Sequence, residues 1–111
     1  MEIDTKTNVH NLGPATRIPI GEGRTFYAGG QEIAVFRDRK RRVYATQGWC
    51  PHRFGPLADG LVGNGEVVCP LHGYRFDLRS GVPKGHACET IRTFPVSLNE
   101  TGEILLTLEE R

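Results

Sequence analysis

The chain has 111 residues, with 14 Lys and Arg against 13 Asp and Glu and a formal charge of +1. That balance excludes a histone-like nucleic-acid binder and an acidic tail protein, and the length predicts one domain over residues 1–111. The longest apolar run, Ile33 to Phe36, covers four residues, where a membrane span needs about 20. Met1 to Lys6 is polar and lacks the apolar segment of a signal peptide. These features predict a soluble, cytoplasmic protein without a nucleic-acid or membrane partner.

No stretch has the pattern of a long helix. Short β-favouring runs, separated by Gly, Pro, Asn and Asp, predict strands at 24–27, 31–37, 43–46, 66–69, 75–78, 91–96 and 104–108. The Gly29-Gly30 pair turns the chain before Gln31, and Asn99 to Gly102 marks a last hairpin. In the run from Gln31 to Arg37 both alternating sets are mostly apolar, as in a strand covered on both faces. The expected fold is all-β, an antiparallel sandwich or barrel. Residues 1–47 and 91–111 form its body, and residues 48–85, rich in Gly, Pro, Cys and His, form a smaller lobe.

That lobe carries the chemistry. Cys50-Pro51-His52 and Cys69-Pro70-Leu71-His72 give the pattern C-x-H, sixteen residues, C-x-x-H. Three cysteines are an odd number and too few for a disulfide scaffold, and in a reducing compartment such residues are metal ligands, catalytic groups or buried bystanders. Two thiolates and two imidazoles in a pair of short loops suit a thiophilic metal centre. Pro51 and Pro70 stiffen the loops, while Gly55 and Gly73 allow left-handed turns. A structural zinc site is the alternative, although zinc ligand pairs are usually spaced by two or more residues.

The signature resembles that of the Rieske-type [2Fe–2S] proteins. The likeness extends more loosely to Gly81-Val82-Pro83 and to Arg92-Thr93-Phe94-Pro95-Val96. It implies one cluster per chain, with Cys50 and Cys69 on one iron and His52 and His72 on the other. The two hairpin-like loops, 50–55 and 69–74, would meet at one tip with both histidines exposed. Two ferric ions and two sulfides carry a charge that two thiolates cancel, so the oxidised centre is neutral and accepts an electron more readily than a four-Cys cluster.

The family occurs in three settings. Membrane-anchored respiratory members carry a further disulfide, at positions that read Gly55 and Leu71 in this chain. Terminal ring oxygenases resemble the segments Cys50 to Phe54 and His72 to Asp77, but they need a second domain with a His, His, carboxylate iron site. His10 and His86 are the only other histidines. The resemblance therefore implies an electron carrier and not an enzyme: a soluble ferredoxin passing single electrons from a flavin reductase to a terminal oxygenase. A small subunit docked on the large subunit of an NAD(P)H-dependent nitrite reductase is the alternative. Docking would be transient and centred on His52, Arg53 and His72, as small redox interfaces allow.

Other residues read more plainly. Cys88 is expected to pack as a small apolar residue, His86 to lie on the surface, and Trp49 to pack in the body rather than shield the cluster. The run from Arg37 to Arg42 holds five basic residues and one acid. It reads as a solvated hairpin tip, with a docking patch for an acidic partner as the alternative. Members with high potentials place Ser directly after the His-Gly pair and Tyr two residues later. Tyr74 and Phe76 stand there, which predicts a potential in the lower part of the Rieske range, about −150 to +300 mV.

Overall fold

The computed structural model describes residues 6–52, 54–85 and 87–110. The expectations made for the N-terminal Met1 to Thr5 and for the side chains of Arg53 and His86 lie outside the described residues. Among the described residues, eleven strands form three antiparallel sheets. The first joins β1 (Lys6–Pro14), β11 (Glu103–Glu110) and β10 (Val96–Leu98), in that order. The second runs β2 (Glu22–Ala28), β3 (Gln31–Arg37), β4 (Val43–Gln47), β9 (Thr93–Phe94). The third, the lobe, is β5 (Leu61–Gly63), β6 (Glu66–Val68), β7 (Arg75–Asp77), β8 (Pro83–Lys84). The all-β expectation is met.

Strand β3 explains how body and lobe hold together. Ile33, Ala34, Val35 and Phe36 are all fully buried, so this strand is covered on both faces as its residues predict. Ile33 and Val35 face one core with Phe26, Ile104, Leu106 and Leu108. Ala34 and Phe36 face the other, with Leu57, Val67, Phe76 and the thiols Cys50 and Cys69. The lobe is thus packed on the back of the central sheet through one shared apolar interior. Gly29 and Gly30, at φ 56° and 73°, make the tight turn between β2 and β3, which requires a left-handed backbone at both positions.

Several strand ends differ from the sequence reading by one or two residues, the short strands β5 and β8 are not foreseen, and two further differences are larger. The predicted strand 91–96 is broken at Pro95: β9 pairs with β4, whereas β10 pairs with β11. Proline lacks the N–H that would continue a ladder, so the chain changes sheets there. Strand β1 is not foreseen, because its residues, such as Thr7, Asn8, Val9 and His10, show no buried alternation. It is an edge strand held by β11, in register from Lys6↔Glu110 to Asn11↔Leu105.

The basic hairpin between β3 and β4 is more than a solvated tip. Asp38 is buried to 6% exposure. Its Oδ1 accepts from the backbone N–H of Lys40 (2.9 Å) and Arg42 (2.8 Å). Its Oδ2 accepts from Arg42 Nε (3.0 Å) and the Tyr44 hydroxyl (3.2 Å). Burial alone would raise the carboxyl's pKa, but the donors from Arg42 and Tyr44 outweigh it and hold the pKa below its usual 3.8. A depressed pKa gives stability that is present above the ordinary value and lost as pH falls through the folded one. The thermal midpoint of the wild type should therefore drop as pH falls below about 3.8, and Asp38→Asn should flatten that drop. A pH profile of the Asp38→Asn variant that runs parallel to the wild type's would refute the account.

Candidate metal centre

The two ligand loops are built alike. In the first, Cys50 N–H donates to Gly55 O (2.8 Å) and Phe54 N–H to Cys50 O (2.6 Å). In the second, Cys69 N–H donates to Tyr74 O (2.7 Å) and Gly73 N–H to Cys69 O (3.1 Å). Counted from each cysteine, donor and acceptor positions are identical. Both loops turn at the fifth residue through a left-handed backbone, with φ 57° at Phe54 and 71° at Gly73. The histidines do not match in that frame: His52 is the third residue of its loop, His72 the fourth. Leu71 is the counterpart of His52.

The loops meet where Gly55 faces its neighbour. A Cβ on Gly55 would lie 2.8 Å from Leu71 Cγ, closer than side chains approach, and 3.3 Å from Cys69 Sγ. The two positions where membrane-anchored members carry a disulfide are thus neighbours here, in apolar contact.

Within this frame the donors divide by chemistry. Cys50 and Cys69 are buried, at 0% and 2% exposure. His52 is half-buried and His72 exposed, their ring centroids 5.1 Å apart and edge-on at 88°. The exposure expected of both histidines is found for His72, whereas His52 is half-buried. Tyr74 stacks on His52 at 4.0 Å and 16°, covering one face of that imidazole only. Two soft sulfurs lie inward and two nitrogens outward, which suits a binuclear centre with unlike irons. Two thiols and two imidazoles from paired loops are the donor set of such a cluster, and the residues fit it.

Sequence reasoning missed Gln47. This buried side chain donates to Trp49 O (2.8 Å) and accepts from Arg92 N–H (2.8 Å), while the backbone N–H of Gln47 donates to Arg92 O (2.9 Å). It staples the approach to Cys50 onto the segment beyond the lobe, and nothing in its sequence neighbourhood signals that. Trp49, expected to pack in the body, is 41% exposed and tilts against Phe54 at 5.3 Å. Cys88 is half-buried against the lobe core, close to expectation.

Phe54 combines a left-handed backbone with 71% exposure, so its ring contributes little burial at a position that favours glycine. Phe54→Gly is expected to leave the thermal midpoint at or above that of the parent. A fall of more than about 4 °C, the scale of 1 kcal/mol in a domain of this size, would show the ring to be structural.

Fold and site together define a β protein that offers two buried thiols and two outer imidazoles from paired loops. Residues 8–95 match the Rieske [2Fe-2S] domain, and the chain belongs to that family. Its cofactor is a single [2Fe–2S] cluster, which makes one-electron transfer the activity that membership carries. The anthranilate 1,2-dioxygenase ferredoxin subunit of Burkholderia cepacia is 34% identical over 90 residues, covering 80% of this chain and 82% of that one. The structure of the ferredoxin of carbazole 1,9a-dioxygenase from Nocardioides aromaticivorans IC177 superposes with a TM-score of 0.75 at 32% identity, covering 86% and 95%. The 4beta-methylsterol monooxygenase of Methylococcus capsulatus is 48% identical over 48 residues, 43% of this chain, but the chain spans only 13% of that protein. No helix among the described residues is long and apolar enough to cross a membrane.

Proposed function

We propose that Cys50 and Cys69 hold one iron and His52 and His72 the other. On this reading the whole chain is one Rieske unit, with residues 48–85 as its cluster lobe. It works in the cytoplasm, receives electrons from a flavin reductase and delivers them to a terminal oxygenase. The carrying observation is the division of donors, thiols buried in the lobe core and imidazoles outside. Two ferredoxin relatives of matching length are named for dioxygenase systems, which favours the oxygenase as acceptor.

Bound at this site, the cluster takes up and releases one electron. The chain does the rest. Phe76, Leu57 and Val67, all fully buried, keep water from the thiol side. The loop hydrogen bonds fix the cysteine backbones before the group arrives. Exposed His72 meets the partner through a small face, to which the exposed Trp49, Phe54 and Leu71 in and beside the two loops add apolar surface. Docking there is transient, because a carrier must leave after each electron.

Two measurements test the reading. The dithionite-reduced protein should give a Rieske EPR signal, and a flavin reductase with NADH should reduce it at a rate that saturates with carrier concentration. Absence of the EPR signal would refute the ligand set. Permanent co-purification with a haem-containing reductase would replace the free carrier by the nitrite-reductase-type subunit.

A further inference from the structure

A cavity is lined by residues outside the two ligand loops. It is bounded by the β3–β4 hairpin tip, the β5–β6 turn and the turn after β7, and its volume is about 570 Å³. In the lobe, Gly65 is four residues upstream of Cys69 on an extended chain, about 13 Å at the usual strand rise. The cavity joins body to lobe without sharing a residue with the ligand loops.

Its charge is unbalanced. Arg39, Lys40, Arg42 and Arg79 line it against two acids, Asp38 and Asp77. Both acids are already engaged. Asp38 is filled by the hairpin donors described above, and Asp77 Oδ2 accepts from Arg79 N–H (3.1 Å), Ser80 N–H (2.7 Å) and Ser80 Oγ (2.9 Å). Among the described residues only Arg42, of the four cations, has a carboxylate partner. The side chains of Arg39, Lys40 and Arg79 make no ion pair or hydrogen bond among the described residues. The hairpin that presents Arg39 and Lys40 is closed by three bonds to Asp38, and Arg41 takes a left-handed φ of 63° where a turn favours Gly or Asn. A tip needed only for turning would not spend that conformation on a third consecutive basic residue.

We propose that this cavity binds a diphosphate-bearing anion, bridging Arg39 and Lys40 of the body to Arg79 of the lobe. A net lining charge of +2 (four cations, two acids) asks for a ligand of at least two negative charges. The volume exceeds one phosphate and falls in the range of nucleotide-sized ligands. Convergence from two sides favours a ligand with two linked anionic groups over a single one. Ligand would tie the lobe to the central sheet through residues outside the ligand loops.

Sodium pyrophosphate and ADP, titrated separately into the ¹⁵N-labelled holoprotein at constant ionic strength, test this. Saturable amide shifts confined to residues 38–42, 63–65 and 77–79 are the expected result for at least one of the two. Binding by both assigns the site to the diphosphate group; binding by ADP alone adds a nucleoside subsite. An Arg39→Ala, Arg79→Ala double variant should weaken binding at least tenfold while the cluster's visible spectrum stays unchanged. That spectrum keeps a failure of the cluster assignment separate from a failure here. Shifts that do not saturate, that spread to Arg17 and Arg24, or that survive the double variant within threefold would overturn the proposal. An acidic peptide binding where neither phosphate compound does would overturn it too, in favour of a protein-docking patch.

Discussion

Cys69→Ser is expected to abolish the visible absorbance and the Rieske EPR signal altogether. The substitution exchanges one atom in a side chain of 2% exposure, and the backbone bonds from Cys69 to Tyr74 and Gly73 do not involve the sulfur. The apo loop therefore keeps its shape, and the loss reports ligation. A serine hydroxyl is a harder, more weakly acidic donor than a thiol and is poorly matched to a thiophilic iron. Far-UV circular dichroism should retain the β spectrum, although the midpoint will fall, since metal binding contributes to folding stability. Cys88→Ser is the matched control. Cys88 packs beside the same core but belongs to neither loop, so its signal should persist. A Cys69→Ser protein that keeps the signal, or a Cys88→Ser protein that loses it, would show the ligand set to be wrong.

The proposed ligand residues stand out in the sequence because a metal constrains residue type and spacing together. The strand from Gln31 to Arg37 was legible for a different reason: burial on both faces leaves an unbroken apolar run, Ile33 to Phe36, all at 0% exposure. What escaped was set by partners far along the chain. Strand β1 exists because Glu103–Glu110 offers it a ladder, and β8 is two residues long, too short for any pattern. Gln47 holds Arg92 across 45 positions, a link no local signal carries. The like construction of the two loops was only half visible. The spacing C-x-H against C-x-x-H suggests unequal loops, whereas the hydrogen bonds show equal loops with the histidine moved by one residue. Trp49 went astray because apolar character alone cannot distinguish a packed ring from one at a docking face.

Phe76→Tyr should raise the reduction potential, from a wild-type value low in the Rieske range of about −150 to +300 mV. Phe76 is fully buried in β7 and shares the lobe core with Cys50 and Cys69, the proposed thiolate ligands. A hydroxyl added there enters an apolar core that holds both sulfurs and can donate to one of them. Such a bond strengthens as the sulfurs gain negative charge on reduction, so it favours the reduced state. If reduction strengthens the bond by about 1 kcal/mol, the difference between charged and neutral acceptors, the shift is about 40 mV for one electron. Tyr74 needs two variants, because its ring lies on His52 at 4.0 Å. Tyr74→Phe keeps the stack and should leave the potential near that of the wild type. Tyr74→Ser brings a short hydroxyl next to the loop and should raise it, while exposing one face of His52 to water. Protein-film voltammetry of the three variants separates these effects. A wild-type potential near the top of the range, or a Phe76→Tyr protein with no rise, would mean that the missing donors do not set this centre's potential. A Tyr74→Phe shift as large as that of Tyr74→Ser would instead assign the effect to the tyrosine hydroxyl itself.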